Sequence, residues 1–162
     1  MLMFGEILLF LTLLLCGCYA GFAVFCQIGV MPALRRLSLP AYADTFRAMD
    51  HFLDRSMPPY RITLLVLNLG LGIVALLLHR RHLAAAVLIT FLCNVAALVL
   101  TVGKQIPLNT RLKQLPGDTD DGILLDIREQ TVRNFMERCV VSVLGFAVLC
   151  VGAVLWPLRL GQ

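Results

Sequence analysis

Four long apolar runs, none containing Asp, Glu or Lys, constrain the fold of this chain more than any other feature. They cover residues 7–31, 60–78, 83–102 and 139–158, and Arg61 lies only at the rim of the second run. A helix needs about 20 apolar residues to cross roughly 30 Å of hydrocarbon. Because backbone polar groups in lipid must be satisfied within the segment, the sequence predicts an all-α fold, a four-helix transmembrane bundle.

The composition excludes an ordinary soluble domain. Of the 162 residues, 59% are hydrophobic and 15% are charged, whereas soluble domains carry about 25% charged residues. We therefore expect residues 1–162 to form a single integral membrane domain. Its expected partners are membrane lipids, and no nucleic-acid partner is expected.

The connections predict a lopsided molecule. Spans two and three are joined only by "HRRH", residues 79–82, whereas polar segments 31–58 and 103–138 both lie at the opposite, loop-rich pole. The stretch "AYADTFRAMDHFLDR" has apolar residues at helical spacing and predicts a short amphipathic helix between spans one and two. "PPY" is expected to begin span two, since proline is accepted in a first helical turn.

The membrane orientation has two opposing indications. Eleven Lys and Arg residues lie at the loop-rich pole and three at the other, which by the positive-inside rule puts the loop-rich pole in the cytoplasm. The compact pair Arg80 and Arg81 in the short loop favours the reverse.

Polar side chains from all four spans are predicted to meet at the loop-rich mouth of the bundle, and ionisable groups at membrane depth are functional candidates. The alternative is that the long cationic side chains simply reach the interface. Pro107 should stop or kink the third helix and turn Asn109 towards the bundle. The set comprises Gln27, Arg61, Lys104, Gln105, Asn109, Asn134 and Arg138.

Two further pairs lie within the spans. Asn68 and Asn94 are expected at nearly equal depth, where they could hydrogen-bond or form the polar floor of a substrate cavity. Gly17 and Gly21 allow close helix approach, either within the bundle or as the seam of a homodimer.

The six cysteines form no Cys-x-x-Cys pair, and no histidine stands at metal-ligand spacing from one, so no metal and no cofactor are expected.

In its four spans and the polar residues beside them, the chain resembles the anthrone oxygenase-like family of small four-span membrane proteins, most of them bacterial. The resemblance extends over nearly the whole length. It rests on "AGFAVFCQIGVMPALRRL", "FRAMDHFLDRSMPPY", the turn "IPLNTRL" and Arg138 at the start of span four. The stretch "VRNFMER" departs from the family, which usually has Trp and Asn or His just before that arginine.

The resemblance implies oxidation of a small apolar polycyclic phenol by dioxygen without metal or flavin, in a bacterial inner membrane. His51 would be the base, oriented by Asp50 or Asp54, and Arg61, Asn109 and Arg138 would stabilise the enolate. The pocket would be lined by Gln27, Asn68, Asn94, Lys104 and Gln105. The altered stretch "VRNFMER" favours the alternative, a non-catalytic accessory or lipid- or quinone-binding protein. A small-solute transporter is the third possibility.

Overall fold

The computed structural model of the chain describes residues 2–116 and 119–155, without the side chains of Leu2 and Asp54. This part is almost entirely helical and contains no strand, which confirms the all-α bundle. Its α-helices are α1 (Leu2–Phe25), α2 (Met31–Arg35), α3 (Leu39–Leu77), α4 (Arg81–Leu100), α5 (Ile106–Gln114) and α6 (Asp121–Val154). Two short π-helical turns, Cys26–Val30 and Thr101–Gln105, connect α1 to α2 and α4 to α5.

Four helical segments are long and apolar enough to cross a membrane, namely Met3–Arg35, Arg55–Leu77, Arg81–Gln114 and Asp121–Val154. In the bundle, α1 packs against α3 and α6, and α4 packs against the same two helices from the opposite side. Leu71, Ala75 and Leu149 are fully buried in the membrane core. The predicted spans agree with these segments, except that residues 156–158 lie outside the described part and the helices extend further at the loop-rich pole.

The amphipathic segment and span two form one continuous helix of 39 residues, α3. The prediction that "PPY" begins span two is therefore wrong, because the helix starts at Leu39 and continues through both prolines. Pro58 and Pro59 lie inside α3 and are both exposed, and neither can donate a hydrogen bond to the carbonyl four residues earlier.

The chain also remains helical at Pro107, where the sequence predicted a stop or a kink. Ile106 has helical dihedral angles, and its N–H bonds to the carbonyl of Thr101, five residues earlier. Pro32 lies in the same place after the other π-helical turn, where the N–H of Met31 bonds to Cys26. In each case the wider turn accommodates a proline, which has no N–H to donate.

The two halves of the chain share one plan. Each half consists of a membrane helix, a π-helical turn, a short helix with proline as its second residue, and a long helix that returns through the membrane. The halves meet at His79, the left-handed residue of the tight turn, with φ 55°. Each half thus enters and leaves at the same pole, so both halves have the same orientation.

A second hydrophobic core lies at the loop-rich pole, beyond the core of the four-helix bundle. The parts of α3 and α6 that extend beyond the bundle enclose α2 and α5 and bury Met31, Tyr42, Leu112 and Ile127. We call this region the cap. The membrane core and the cap are separated by a layer of polar side chains, which is the candidate functional site.

Candidate functional site

Two arginines from different helices converge in this layer. Arg61 of α3 and Arg138 of α6 both donate to the hydroxyl oxygen of Thr101, over 3.3 and 3.2 Å respectively. Arg61 also donates to the hydroxyl of Tyr19. Thr101 donates its own proton to the carbonyl of Ala97 at 2.7 Å. Two positive charges therefore share one neutral acceptor, and we call Arg61 and Arg138 the arginine pair.

Aromatic rings cover one face of each guanidinium group. The guanidinium carbon of Arg61 lies 4.7 Å from the ring centroid of Tyr19, and that of Arg138 lies 4.1 Å from the centroid of Phe135. Tyr19 stacks in turn on Tyr60, with the ring centroids 6.1 Å apart. Such contacts stabilise the cations from their faces and leave the N–H groups at the guanidinium edges for a hydrogen-bonding ligand.

No carboxylate of the described residues pairs with Arg61 or Arg138. Glu137 precedes Arg138 in sequence, but its carboxylate contacts the Nζ of Lys104 at 2.5 Å. The other described acidic side chains of the pole that form ion pairs do so with Arg35, Arg47 and Lys113. The Nε of Arg138 is buried and has no hydrogen-bond partner. The layer therefore holds two cationic groups with no anion beside them in the described structure.

The sequence grouped Asn109 with the two arginines, but the structure places it in a separate cluster. Its Nδ2 donates to Oδ1 of Asp50 at 2.5 Å, and its Oδ1 accepts from Nε2 of Gln105 at 2.6 Å. The other oxygen of Asp50 lies 2.7 Å from the Nζ of Lys113. Asn109 thus ties α5 to α3, because the unbroken α3 brings Asp50 over it.

His51 does not reach either cluster. Its side chain is exposed and its ring lies edge-on to that of Phe52, with centroids 5.6 Å apart. Asp50, predicted as its orienting partner, faces Asn109 instead, and the side chain of Asp54 lies outside the described part. A base at His51 would therefore act on the outer surface of the cap in this conformation.

Asn68 and Asn94 are not hydrogen-bonded to each other. Asn68 is fully buried, and its Nδ2 donates to the carbonyl of Leu64 at 2.9 Å and contacts the sulfur of Cys16 at 3.9 Å. The Nδ2 of Asn68 thus has an acceptor on its own helix, and it forms no hydrogen bond with Asn94 on the neighbouring helix. Oδ1 of Asn68 and Nδ2 of Asn94 remain buried without partners.

Gln27 has no hydrogen bond to either cluster in the described structure and lines a cavity of about 480 Å³ between the first π-helical turn, α2 and the cap portion of α6. The cavity is lined by charges of both signs, including Arg35, Asp126, Glu129 and Arg133. The ion pair of Arg35 with Glu129, at 2.5 Å, closes part of it. Neither arginine of the pair lines this cavity, so it is a different feature from the site.

The described residues offer no group of three or more His, Cys, Asp or Glu side chains that could hold a metal ion. All six cysteines are free thiols. What the polar layer can do chemically is bind negative charge and form directed hydrogen bonds through two guanidinium groups.

Sequence reasoning selected Arg61 and Arg138 but missed Tyr19, Thr101 and Phe135, which hold them. Thr101 could have been selected as a polar residue near the end of the third apolar run, at the start of "TVGKQIP". Tyr19 lies inside a long apolar run, where an aromatic residue does not stand out.

Comparison of the chain with protein-family models, with curated proteins and with solved structures found no match to any of them. The family resemblance remains a prediction, and the function must be argued from the side chains of the site.

Proposed function

We propose that this protein is a non-catalytic membrane protein that binds an anionic amphiphile, with the acidic head on the arginine pair and the apolar body along the bundle. One observation carries the proposal. Arg61 and Arg138 turn towards each other at Thr101, with no carboxylate of the described chain between or beside them. Ionisable groups at membrane depth are expensive unless they are paired or serve a ligand.

Simple extension of the two side chains towards water does not account for this geometry. Long cationic side chains near helix ends reach outwards to the interface. Here the two guanidinium groups meet on a hydroxyl of a third helix, and each also has an aromatic ring on one face. Two like charges brought together in this way repel each other, and a bound anion would remove that repulsion.

Equilibrium binding to purified protein in a neutral detergent tests the proposal. Oleate should bind, and oleyl alcohol, which has the same chain and no charge, should bind at least tenfold more weakly, because a charge-assisted contact contributes about 1.5–3 kcal/mol. Arg61→Gln and Arg138→Gln should each remove the preference for oleate. Arg111→Gln, at an exposed position of α5, is the matched control and should retain it.

The proposal is wrong if oleate and oleyl alcohol bind the wild type equally. It is also wrong if Arg111→Gln weakens oleate binding as much as Arg138→Gln does.

Oxygenation of a polycyclic phenol, as the family resemblance implies, is the second candidate, because the arginine pair could also stabilise an enolate oxygen. An anthrone methylene would become a carbonyl: one atom of dioxygen stays in the product, and the other leaves as water with both methylene hydrogens. His51, the predicted base, is exposed on the cap and does not contact the arginine pair. Oxygen uptake with anthrone separates the candidates: the oxygenase requires a rate above empty detergent that Arg61→Gln and Arg138→Gln abolish.

For localisation, we propose the inner membrane of a bacterium with the cap in the cytoplasm, since eleven Lys and Arg residues lie at that pole. Single cysteines at positions 81 and 111, in a background without the native cysteines, test this. In intact cells an impermeant thiol reagent should label position 81 and not position 111. Labelling of position 111 alone would show that the orientation is the opposite of the one proposed.

A further inference from the structure

We infer that the head group held by Arg61 and Arg138 is a phosphate monoester rather than a carboxylate or a phosphate diester. This inference rests on the proposed function and names the chemical class of its ligand. It is carried by the charge of the site, by the number of free N–H donors and by the positions of the two arginines in the two halves of the chain.

Charge is the first argument. The pair carries two positive charges, and the nearest acidic side chain in sequence, Glu137, is held by Lys104. A carboxylate or a phosphate diester would neutralise one of the two charges. A phosphate monoester carries about −1.5 to −2 at pH 7 and would balance both.

The free hydrogen-bond donors are the second argument. Among the described residues, three hydrogen bonds use the N–H donors of the two side chains, two from Arg61 and one from Arg138. The other N–H donors of the two guanidinium groups form no hydrogen bond with the described residues, and among them the Nε of Arg138 is buried. Guanidinium groups prefer bidentate contacts to oxyanions, and a terminal phosphate has enough oxygens to offer an edge to each arginine.

The shared plan of the two halves is the third argument. Arg61 lies on the returning helix of the first half and Arg138 on that of the second. The two helices lie on opposite sides of the bundle, each between α1 and α4. The arginines therefore approach from two directions, and a terminal phosphate can offer a separate edge of two oxygens to each of them.

Arg61 and Arg138 are both only partly buried, and they lie where the apolar spans end and the cap begins. A lipid phosphate and a soluble phosphate monoester share the same chemistry, so the experiment must separate these two sources.

The test uses the full chain in neutral detergent and three lipids with identical acyl chains: phosphatidic acid, phosphatidylglycerol and phosphatidylcholine. Native mass spectrometry gives the bound fraction of each. Phosphatidic acid should bind about tenfold more tightly than phosphatidylglycerol, since it makes an additional charge-assisted contact. Because the second pKa of a phosphate monoester is near 6, this ratio should fall towards unity between pH 8 and pH 5.

Variants separate the guanidinium geometry from charge alone. Arg138→Lys keeps the charge but loses the planar fork, and should lower the ratio of phosphatidic acid to phosphatidylglycerol, as Arg61→Gln should. Arg111→Gln should leave the ratio unchanged. Circular dichroism and the elution volume of each variant report its folding, and Thr101→Val, which removes the shared acceptor together with its own bond to Ala97, serves where an arginine variant does not fold.

Competition with sn-glycerol 3-phosphate identifies the source of the phosphate. Displacement of phosphatidic acid at comparable concentrations supports a soluble monoester, and lack of displacement supports the lipid.

Equal binding of phosphatidic acid and phosphatidylglycerol, with arginine-dependent binding of oleate preserved, would overturn the monoester inference and leave the proposed function standing. Failure of every anionic amphiphile to bind would overturn both.

Discussion

Asn109 holds the carboxylate of Asp50, with 2.5 Å between Nδ2 and Oδ1, and this contact fastens the short helix α5 to the cap portion of α3. Gln105 completes the cluster by donating to Oδ1 of Asn109. Gln105 and Asp50 are only 3% and 5% exposed, and Asn109 is the hydrogen-bond partner of the Gln105 amide and of Oδ1 of Asp50, whose other oxygen faces Lys113.

Replacing Asn109 should therefore destabilise the cap. Asn109→Ala leaves a buried donor of Gln105 and a buried acceptor of Asp50 unpaired, and we expect a loss of about 1–3 kcal/mol in the free energy of unfolding. The control Thr110→Ala removes an exposed hydroxyl that bonds only to its own helix and should change stability by less than about 0.5 kcal/mol. Denaturation in detergent measures both variants, and equal losses would contradict the role of Asn109.

Two arginines in the cap are predicted to have reciprocal structural roles. Arg47 of α3 donates to the carbonyls of Leu112 and Leu115 at the end of α5. Arg128 of α6 donates to the carbonyls of Arg35 and Leu37 at the end of α2.

Each arginine thus satisfies carbonyl groups at the end of the short helix in the other half. Arg47→Ala and Arg128→Ala should each expose the cap to limited proteolysis while the membrane helices remain protected. Arg111→Ala should have no such effect. Unchanged cleavage in both cap variants would argue against this bracing role.

The tight turn predicts a stabilising substitution. The N–H of Arg80 bonds to the carbonyl of Ala75 and that of His79 to Leu76, which closes the end of α3 with His79 in the left-handed region at φ 55°. Glycine adopts this conformation without the Cβ penalty of about 1–2 kcal/mol, so His79→Gly should raise the free energy of unfolding by about 1 kcal/mol. His82→Gly, in the first turn of α4, should lower it instead.

Close approach of α4 and α6 predicts a sensitive glycine. A Cβ added at Gly152 would lie 2.4 Å from the Cβ of Ala86, whereas one added at Gly21 meets nothing within 4 Å. Gly152→Ala should cost about 1–3 kcal/mol, because the helix backbones must separate, and Gly21→Ala should cost nothing. Thermal unfolding in detergent distinguishes them, and equal midpoints would contradict the close packing.

Gly21 also tests the predicted homodimer. Gly17 packs inside the bundle, with Phe146 carbons 3.2 Å from the position of an added Cβ, and Gly21 is exposed. If Gly21 belongs to a seam between two copies, Gly21→Ile should change the mass of the complex measured by light scattering. An unchanged mass would limit the pair to packing within one chain.

Tyr42 predicts a pH effect on the stability of the cap. Burial raises the pKa of Tyr42, and interactions with Thr131 and Arg128 lower it in part. Because the pKa is higher in the folded state, the neutral phenol contributes its full stability below the unfolded value of about 10, and this contribution is lost as the pH rises through the folded value.

Tyr42→Phe has no phenol to ionise. The stability of the wild type relative to this variant should therefore fall between pH 9 and pH 11, as measured by denaturation at each pH. Parallel curves would show that Tyr42 does not ionise on unfolding in this range.

The bundle could be predicted from the sequence because spans of about 20 apolar residues have few alternatives in lipid. Arg61 and Arg138 could be selected because charge beside an apolar run stands out. The partners of Asn109 could not be predicted, since they depend on α3 passing unbroken through Pro58 and Pro59, against the usual effect of proline. The convergence on Thr101 depends on the π-helical turn that begins there, and no local pattern in the sequence fixes that turn.

The duplicated plan has a consequence for biosynthesis. Tyr19, which binds Arg61, belongs to the first half of the chain, and Thr101, which binds Arg138, belongs to the second. Each helical hairpin leaving the ribosome therefore brings a hydroxyl group for its own arginine. The first hairpin can shelter its charge in the bilayer before the second is synthesised, and only the bond from Arg61 to Thr101 must wait for the two to meet.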